Sequence, residues 1–138
     1  MTVQEVVRRS IETFNQHDMN AFAALYAINV VAYDPMYPEG LTGRDAILKD
    51  AEDFILAFPD IQIEVISSIS GGDRAAFEME LRGTHTGPLV TPSGSIPATN
   101  RRMNLRIGRF MRVDSQGAIA ADNRYYDTAG IAQQLGLS

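Results

Sequence analysis

The stretch Ile61-Gln62-Ile63-Glu64-Val65, followed across Gly71-Gly72-Asp73 by Ala75-Ala76-Phe77-Glu78-Met79-Glu80-Leu81-Arg82, decides the fold. Ile61, Ile63 and Val65 alternate with Gln62 and Glu64, and Ala75, Phe77, Met79 and Leu81 alternate with Glu78, Glu80 and Arg82. Successive side chains of a strand point to opposite faces of a sheet, so this alternation predicts two strands, each with one buried face. The glycines and aspartate between them supply the hairpin turn.

Upstream the period is helical. Ile47, Ala51, Phe54, Ile55 and Phe58 recur along one side of a helix that follows Gly43-Arg44-Asp45 and ends at Pro59. Farther back, Thr2-Val3-Gln4-Glu5 fits a capping box, and Val3, Val6, Val7, Ile11 and Phe14 carry a first helix to about Asn15. After His17-Asp18, Ala21 to Ala27 reads as a short helix offering Phe22, Leu25 and Tyr26 to the core, and Val30 to Asp34 as a brief strand. Pro35, Pro38, Gly40 and Gly43 then predict a loop.

Downstream, a loop rich in Pro, Gly, Ser and Thr runs from Thr84 to Asn100, followed by a strand from Met103 to Val113, a turn at Asp114-Ser115-Gln116-Gly117, a last strand from Ile119 to Tyr126, and a helical turn or two from Thr128 to Leu135. Helices grouped before a meander of strands predict an α+β fold, with N-terminal helices packed on one face of a curved antiparallel sheet. With 138 residues, 45% of them apolar, residues 1–138 are expected to form one domain around one core. A loop as long as 84–100 often borders a binding site, so the pocket mouth is expected there.

Composition excludes several roles. The net charge of −5 opposes non-specific attraction to nucleic acid or to anionic lipid. Glu5, Arg8, Arg9 and Glu12 interrupt the apolar pattern of the N-terminal stretch, which argues against a secretory leader, and nothing is apolar enough to cross a bilayer; a cytoplasmic protein without a membrane partner is expected. Absence of cysteine removes disulfides and thiolate chemistry. No His/Cys cluster has metal-ligand spacing, no glycine-rich loop joins a strand to a helix, and no serine elbow is present, so neither metal nor cofactor is expected.

Chemistry can reside in a few polar residues at apolar places. Asp34 ends a strand at a proline, where a rigid element presents a carboxylate able to take a proton next to a carbonyl; the alternative is a turn-forming Asp-Pro at the surface. Arg109 interrupts the apolar face Met103, Leu105, Ile107, Met111, Val113, and a buried guanidinium needs a partner. That partner is Asp34 or Asp122, or else a substrate carboxylate or enolate oxygen. Arg124 shares a strand face with Asp122 and Tyr126, opposite Asn123 and Tyr125, and a tyrosine there can donate to an oxyanion or simply fill core. His85, at the start of the long loop, is a further ligand contact or a structural hydrogen-bonder, and His17 reads as surface.

The order of elements, with Phe58-Pro59-Asp60, Gly83-Thr84-His85-Thr86-Gly87, Tyr125-Tyr126-Asp127 and Gln134-Leu135-Gly136, resembles the SnoaL-like polyketide cyclases and ester cyclase-like proteins of the nuclear transport factor 2-like superfamily. The resemblance implies a cone-shaped fold enclosing a deep apolar pocket, commonly a homodimer, and cofactor-free acid/base chemistry on ketone-bearing ring systems. The cyclases' acid/base aspartate falls on Arg124, their histidine on Arg109 and their asparagine on Asp34, which speaks against ring closure by their usual mechanism. Asp34-Pro35 resembles the general base of the more distant ketosteroid isomerases, whose oxyanion tyrosine falls near Ser10 and whose second acid falls on Arg109.

The combined expectation is a cofactor-independent cyclase or isomerase acting on a small enolisable carbonyl compound. Asp34, Arg109 and Arg124 are its catalytic candidates, with Tyr126, Asp122, His85 and Ser10 around a small hydrophobic or anionic ligand. The alternatives are a non-catalytic ligand-binding or accessory protein, and an epoxide or ester hydrolase in which Asp34 and Asp122 flank an arginine.

Overall fold

The computed structural model describes residues 1–137. Helix α1, Val3–Asn15, starts where the Thr2 hydroxyl accepts from the Glu5 amide at 3.2 Å, and it buries Val3, Val6, Val7 and Phe14. Helix α2, Met19–Ala24, is capped by Asp18 and is shorter than its sequence suggests, because Tyr26 and Ala27 already belong to strand β1, Tyr26–Asp34. Helix α3, Arg44–Ala57, follows β2, Tyr37–Thr42; the meander β3, Gln62–Gly71, and β4, Arg74–Thr84, comes next. A small hairpin, β5, Leu89–Thr91, and β6, Gly94–Ile96, precedes β7, Arg102–Val113, β8, Ile119–Tyr125, and α4, Thr128–Gln134.

The main sheet has the order β2-β1-β8-β7-β4-β3. Its neighbours pair antiparallel, as the hairpin signals require, except at one seam: β1 runs parallel to β8. The sheet is therefore mixed. The chain leaves β1 through β2 and α3, lays down the meander from the far edge, and returns with β8 alongside β1, a closure that no local pattern encodes. The inner faces of β4 and β7 bury Ala75, Phe77, Met79 and Leu81 beside Met103, Leu105, Ile107 and Met111, with α1 packed over β3 and β4 and α3 over β1 and β2. Outward, Glu80 binds Arg82 and Arg106 at 2.5 and 3.1 Å, so these charges pair across the protein's own strands.

Two expected loops contain strands. Pro38 and Gly40 mark residues 35–43 as irregular, yet β2 lies at the sheet edge, where a proline costs no ladder bond. Gly40 has φ +75° and approaches so closely that a Cβ would sit 2.9 Å from the Ala32 carbonyl oxygen, which explains a glycine inside a strand. The arm 84–100 folds onto the end of α3: the amides of Thr86 and Gly87 both donate to the Ala57 carbonyl at 3.1 Å, and Leu89 is buried. It does not form the pocket mouth expected from its length, because its backbone is committed to α3. Among the described residues no helix is long and apolar enough to cross a membrane.

Candidate active site

A cavity of about 70 Å³ lies between α1, α2, α3 and the inner face of the sheet. Its walls are apolar, with Phe14, Phe22, Phe54, Ile63, Leu81 and Ile107 among them, and its polar lining is Ser10, Asp34, Asp50, Arg109, Arg124 and Tyr126. Apolar walls with a few convergent polar groups are the usual make-up of a small-molecule site.

At the polar end, strands β1, β7 and β8 and helix α3 bring two arginines among three carboxylates. Arg109 holds Asp122 with both ends of its fork, Nε to Oδ1 at 3.1 Å and Nη2 to Oδ2 at 2.6 Å. Arg124 reaches all three aspartates: Nη1 donates to Asp50 at 2.9 Å and Asp34 at 3.3 Å, and Nη2 to Asp122 at 3.4 Å. Each carboxylate also has its own tyrosine. Tyr26 donates to Asp122 at 2.7 Å, Tyr37 to Asp50 at 2.8 Å, and Tyr126 to Asp34, which also accepts from the Met36 amide at 3.0 Å.

The proton balance follows from this wiring. Burial disfavours a charge on Asp122, but Arg109 and Arg124 outweigh it and hold the carboxyl below the usual range, so Asp122 is the fixed anion of the cluster. Burial pushes the Asp50 carboxyl up; Arg124 opposes this and the neighbouring Asp34 adds to it. Burial and the adjacent carboxylates raise Tyr26, Tyr37 and Tyr126, so all three hydroxyls remain donors. With two cations against three carboxylates, a proton retained on Asp50 would leave the cluster neutral.

Five of the seven sequence candidates, Asp34, Arg109, Arg124, Tyr126 and Ser10, line the cavity. Asp34 is buried, not a surface turn, and its arginine is Arg124, while Arg109 takes Asp122. Ser10 is committed through its hydroxyl to the Val7 carbonyl at 2.7 Å. Asp122 is not a lining residue: it is wholly buried behind the guanidiniums, so strand parity placed it inward but one layer too deep for a ligand. His85 lies away from the cavity. Its ring packs on Phe58 at 5.3 Å and its Nδ1 accepts from the Thr99 amide at 3.2 Å, which pins the arm. Asp50 and its partner Tyr37 were missed. Asp50 stands one turn from Ile47 and from Phe54 on the apolar side of α3, a position that marks it; Tyr37 sits where proline and glycine hide a strand.

The profile of the SnoaL-like polyketide cyclases matches residues 4–135. No curated protein matches the chain. Among solved structures, a protein of Pseudomonas putida KT2440 with a provisional assignment as a polyketide cyclase is 25% identical, over 97% of this chain and 98% of that one, with a TM-score of 0.80. IdmH of Streptomyces antibioticus, with a similar provisional assignment, is 24% identical over 99% of each chain, with a TM-score of 0.78. The epoxide hydrolase/cyclase-like enzyme SalBIII, studied for pyran ring formation in the polyether salinomycin, is 17% identical over 93% of this chain and 92% of its own, with a TM-score of 0.75. Profile, element order and enclosed apolar cavity agree, and the chain belongs to the SnoaL-like polyketide cyclase family within the nuclear transport factor 2-like superfamily.

Proposed function

We propose that this protein is a cofactor-independent acid/base enzyme of the cyclase or isomerase type, acting on a small enolisable carbonyl compound. One observation carries the reading: Asp34 and Asp50 meet on a single nitrogen of Arg124 at the polar end of an apolar cavity, and burial drives Asp50 towards its protonated form. A carboxyl that burial pushes up can act as an acid beside a second carboxylate that acts as the base. Asp34, steadied by Tyr126 and the Met36 amide, takes the proton next to the carbonyl, while Asp50 stands by with a proton for the developing enolate oxygen. The arginines contribute fixed positive charge to that oxygen in a low-dielectric site.

The test is incubation of the protein with a panel of small cyclic ketones and lactones in D₂O. Deuterium entering the carbon next to the carbonyl supports the reading. Ligands that bind and return unchanged after long incubation favour the non-catalytic binding protein. A second reading, epoxide opening, draws on the same Asp–Arg–Asp arrangement, with Asp50 replacing Asp122 on the cavity side. It requires oxygen from labelled water in the product.

We also propose that the protein works as a homodimer joined through the outer face of the sheet. Val31, Tyr33, Phe110 and Tyr125 are exposed there, with Tyr125 stacked on Tyr33 at 5.2 Å and edge-on to Phe110 at 5.8 Å. A contiguous exposed aromatic patch is unusual on a monomer. Light scattering is expected to give a dimer, and Phe110→Asp a monomer with its fold intact; a monomeric wild-type protein at working concentration overturns the proposal.

A further inference from the structure

The donors of Arg109 are unequally satisfied. Nε and Nη2 face Asp122 and the Tyr26 hydroxyl, whereas Nη1 has only the thioether sulfur of Met79, at 3.6 Å. Sulfur is a weak acceptor, so this nitrogen holds a charged donor in reserve inside a buried cluster. Both Arg109 and Met79 are 4% exposed, and both line the cavity. Methionine is unbranched and flexible and yields its place readily.

The charges define what can replace it. Asp34, Asp50 and Asp122 already surround Arg109 and Arg124, so the cluster has no spare positive charge for a ligand carboxylate. A neutral oxygen can accept from Nη1 without adding to that negative charge. We propose that Nη1 of Arg109 is the docking point for the carbonyl oxygen of an uncharged ligand, that Met79 Sδ is the placeholder this oxygen displaces, and that the pocket rejects anions. This names the substrate class of the proposed enzyme and rests on that reading only for the chemistry, since docking precedes any proton transfer. It also keeps the hydrophobic half of the ligand class expected from sequence and drops the anionic half.

The test uses cyclohexanone and its 4-carboxylate as probes, with dissociation constants from NMR titration of wild type, Met79→Leu and Met79→Gln. Cyclohexanone is expected to bind at least about tenfold more tightly than the carboxylate, a preference equivalent to about one charge-assisted hydrogen bond. Met79→Leu removes the competing sulfur and is expected to tighten cyclohexanone by about threefold to tenfold, while Met79→Gln offers Nη1 a strong acceptor and weakens it by a similar factor. Equal binding of the two probes, no binding of cyclohexanone, or Leu and Gln variants shifted in the same direction would each overturn the proposal. Deuterium exchange followed in the same samples separates the two ideas. Binding in the expected order without exchange retains the docking point and removes the catalytic reading; exchange with binding indifferent to Met79 does the reverse.

Discussion

Asp34→Asn is expected to slow deuterium exchange into a bound ketone by about 10²–10⁴-fold, the usual worth of a positioned general base. The fold should survive. An amide at position 34 still offers an oxygen to Tyr126 and to the Met36 amide, and Arg124 keeps Asp50 and Asp122. With the Asp34 charge gone, Asp50 can ionise in its place, so the cluster again holds two cations and two carboxylates. Unfolding free energies of variant and wild type from urea titration should agree to within about 1 kcal/mol. Exchange at the wild-type rate in a folded Asp34→Asn protein contradicts the assignment of the base. Because Asp50 acts in its protonated form, wild-type exchange should decline as pH rises through the elevated value of that carboxyl.

The largest effect on stability is expected at a residue that no ligand touches. Asp122 is wholly buried and is the anion on which both guanidiniums rest, so Asp122→Asn strands Arg109 with a charge that has lost its counterion. Breaking a buried ion pair from one side costs about 3–5 kcal/mol, because the remaining charge stays desolvated. Urea denaturation should show a loss of that order, and Arg109→Met combined with Asp122→Leu should recover much of it. A single variant as stable as wild type contradicts the structural role. The pH dependence has a definite sign. The Asp122 carboxyl is depressed in the folded state, so its contribution is full above the ordinary aspartate value and disappears as pH falls towards the folded one. Asp122→Asn should remove that part of the acid sensitivity.

What could be read from the sequence, and what could not, divides along the range of the interactions. The alternating runs in β4 and β7 and the helical spacing in α1 and α3 are local consequences of side-chain geometry, and the elements form where the pattern puts them. Arg109 was legible for the same reason: one guanidinium on an otherwise apolar strand face must point inward. Strand β2 and the β5–β6 hairpin were not legible, because proline and glycine mark irregular backbone locally and only pairing with distant residues makes strands of them. The β1–β8 seam joins residues about ninety positions apart, as the Arg124–Asp34 contact also does.

Within the site, alternation told inside from outside but not depth, so Asp122 was expected beside the ligand although only Asp34 meets the cavity. Asp50 was hidden by its neighbours. Lys49, Glu52 and Asp53 make its helix look solvated, and Lys49 does pair with Asp53 at the surface at 2.7 Å, while Asp50 turns in towards Arg124. His85 drew notice at the start of the long loop, yet its place depends on how the arm docks on α3, which no spacing reports.

The pairing of Asp34 and Asp50 under one guanidinium is the centre of this account, and carbon-detected NMR titration of the Asp50 carboxyl, assigned with Asp50→Asn, tests it most directly. In the wild-type protein that carboxyl should keep its proton to a pH above the ordinary aspartate value of about 3.9, and in Asp34→Asn, without the neighbouring negative charge, its midpoint should fall. An Asp50 that ionises in the ordinary range and ignores the substitution at Asp34 would contradict the account.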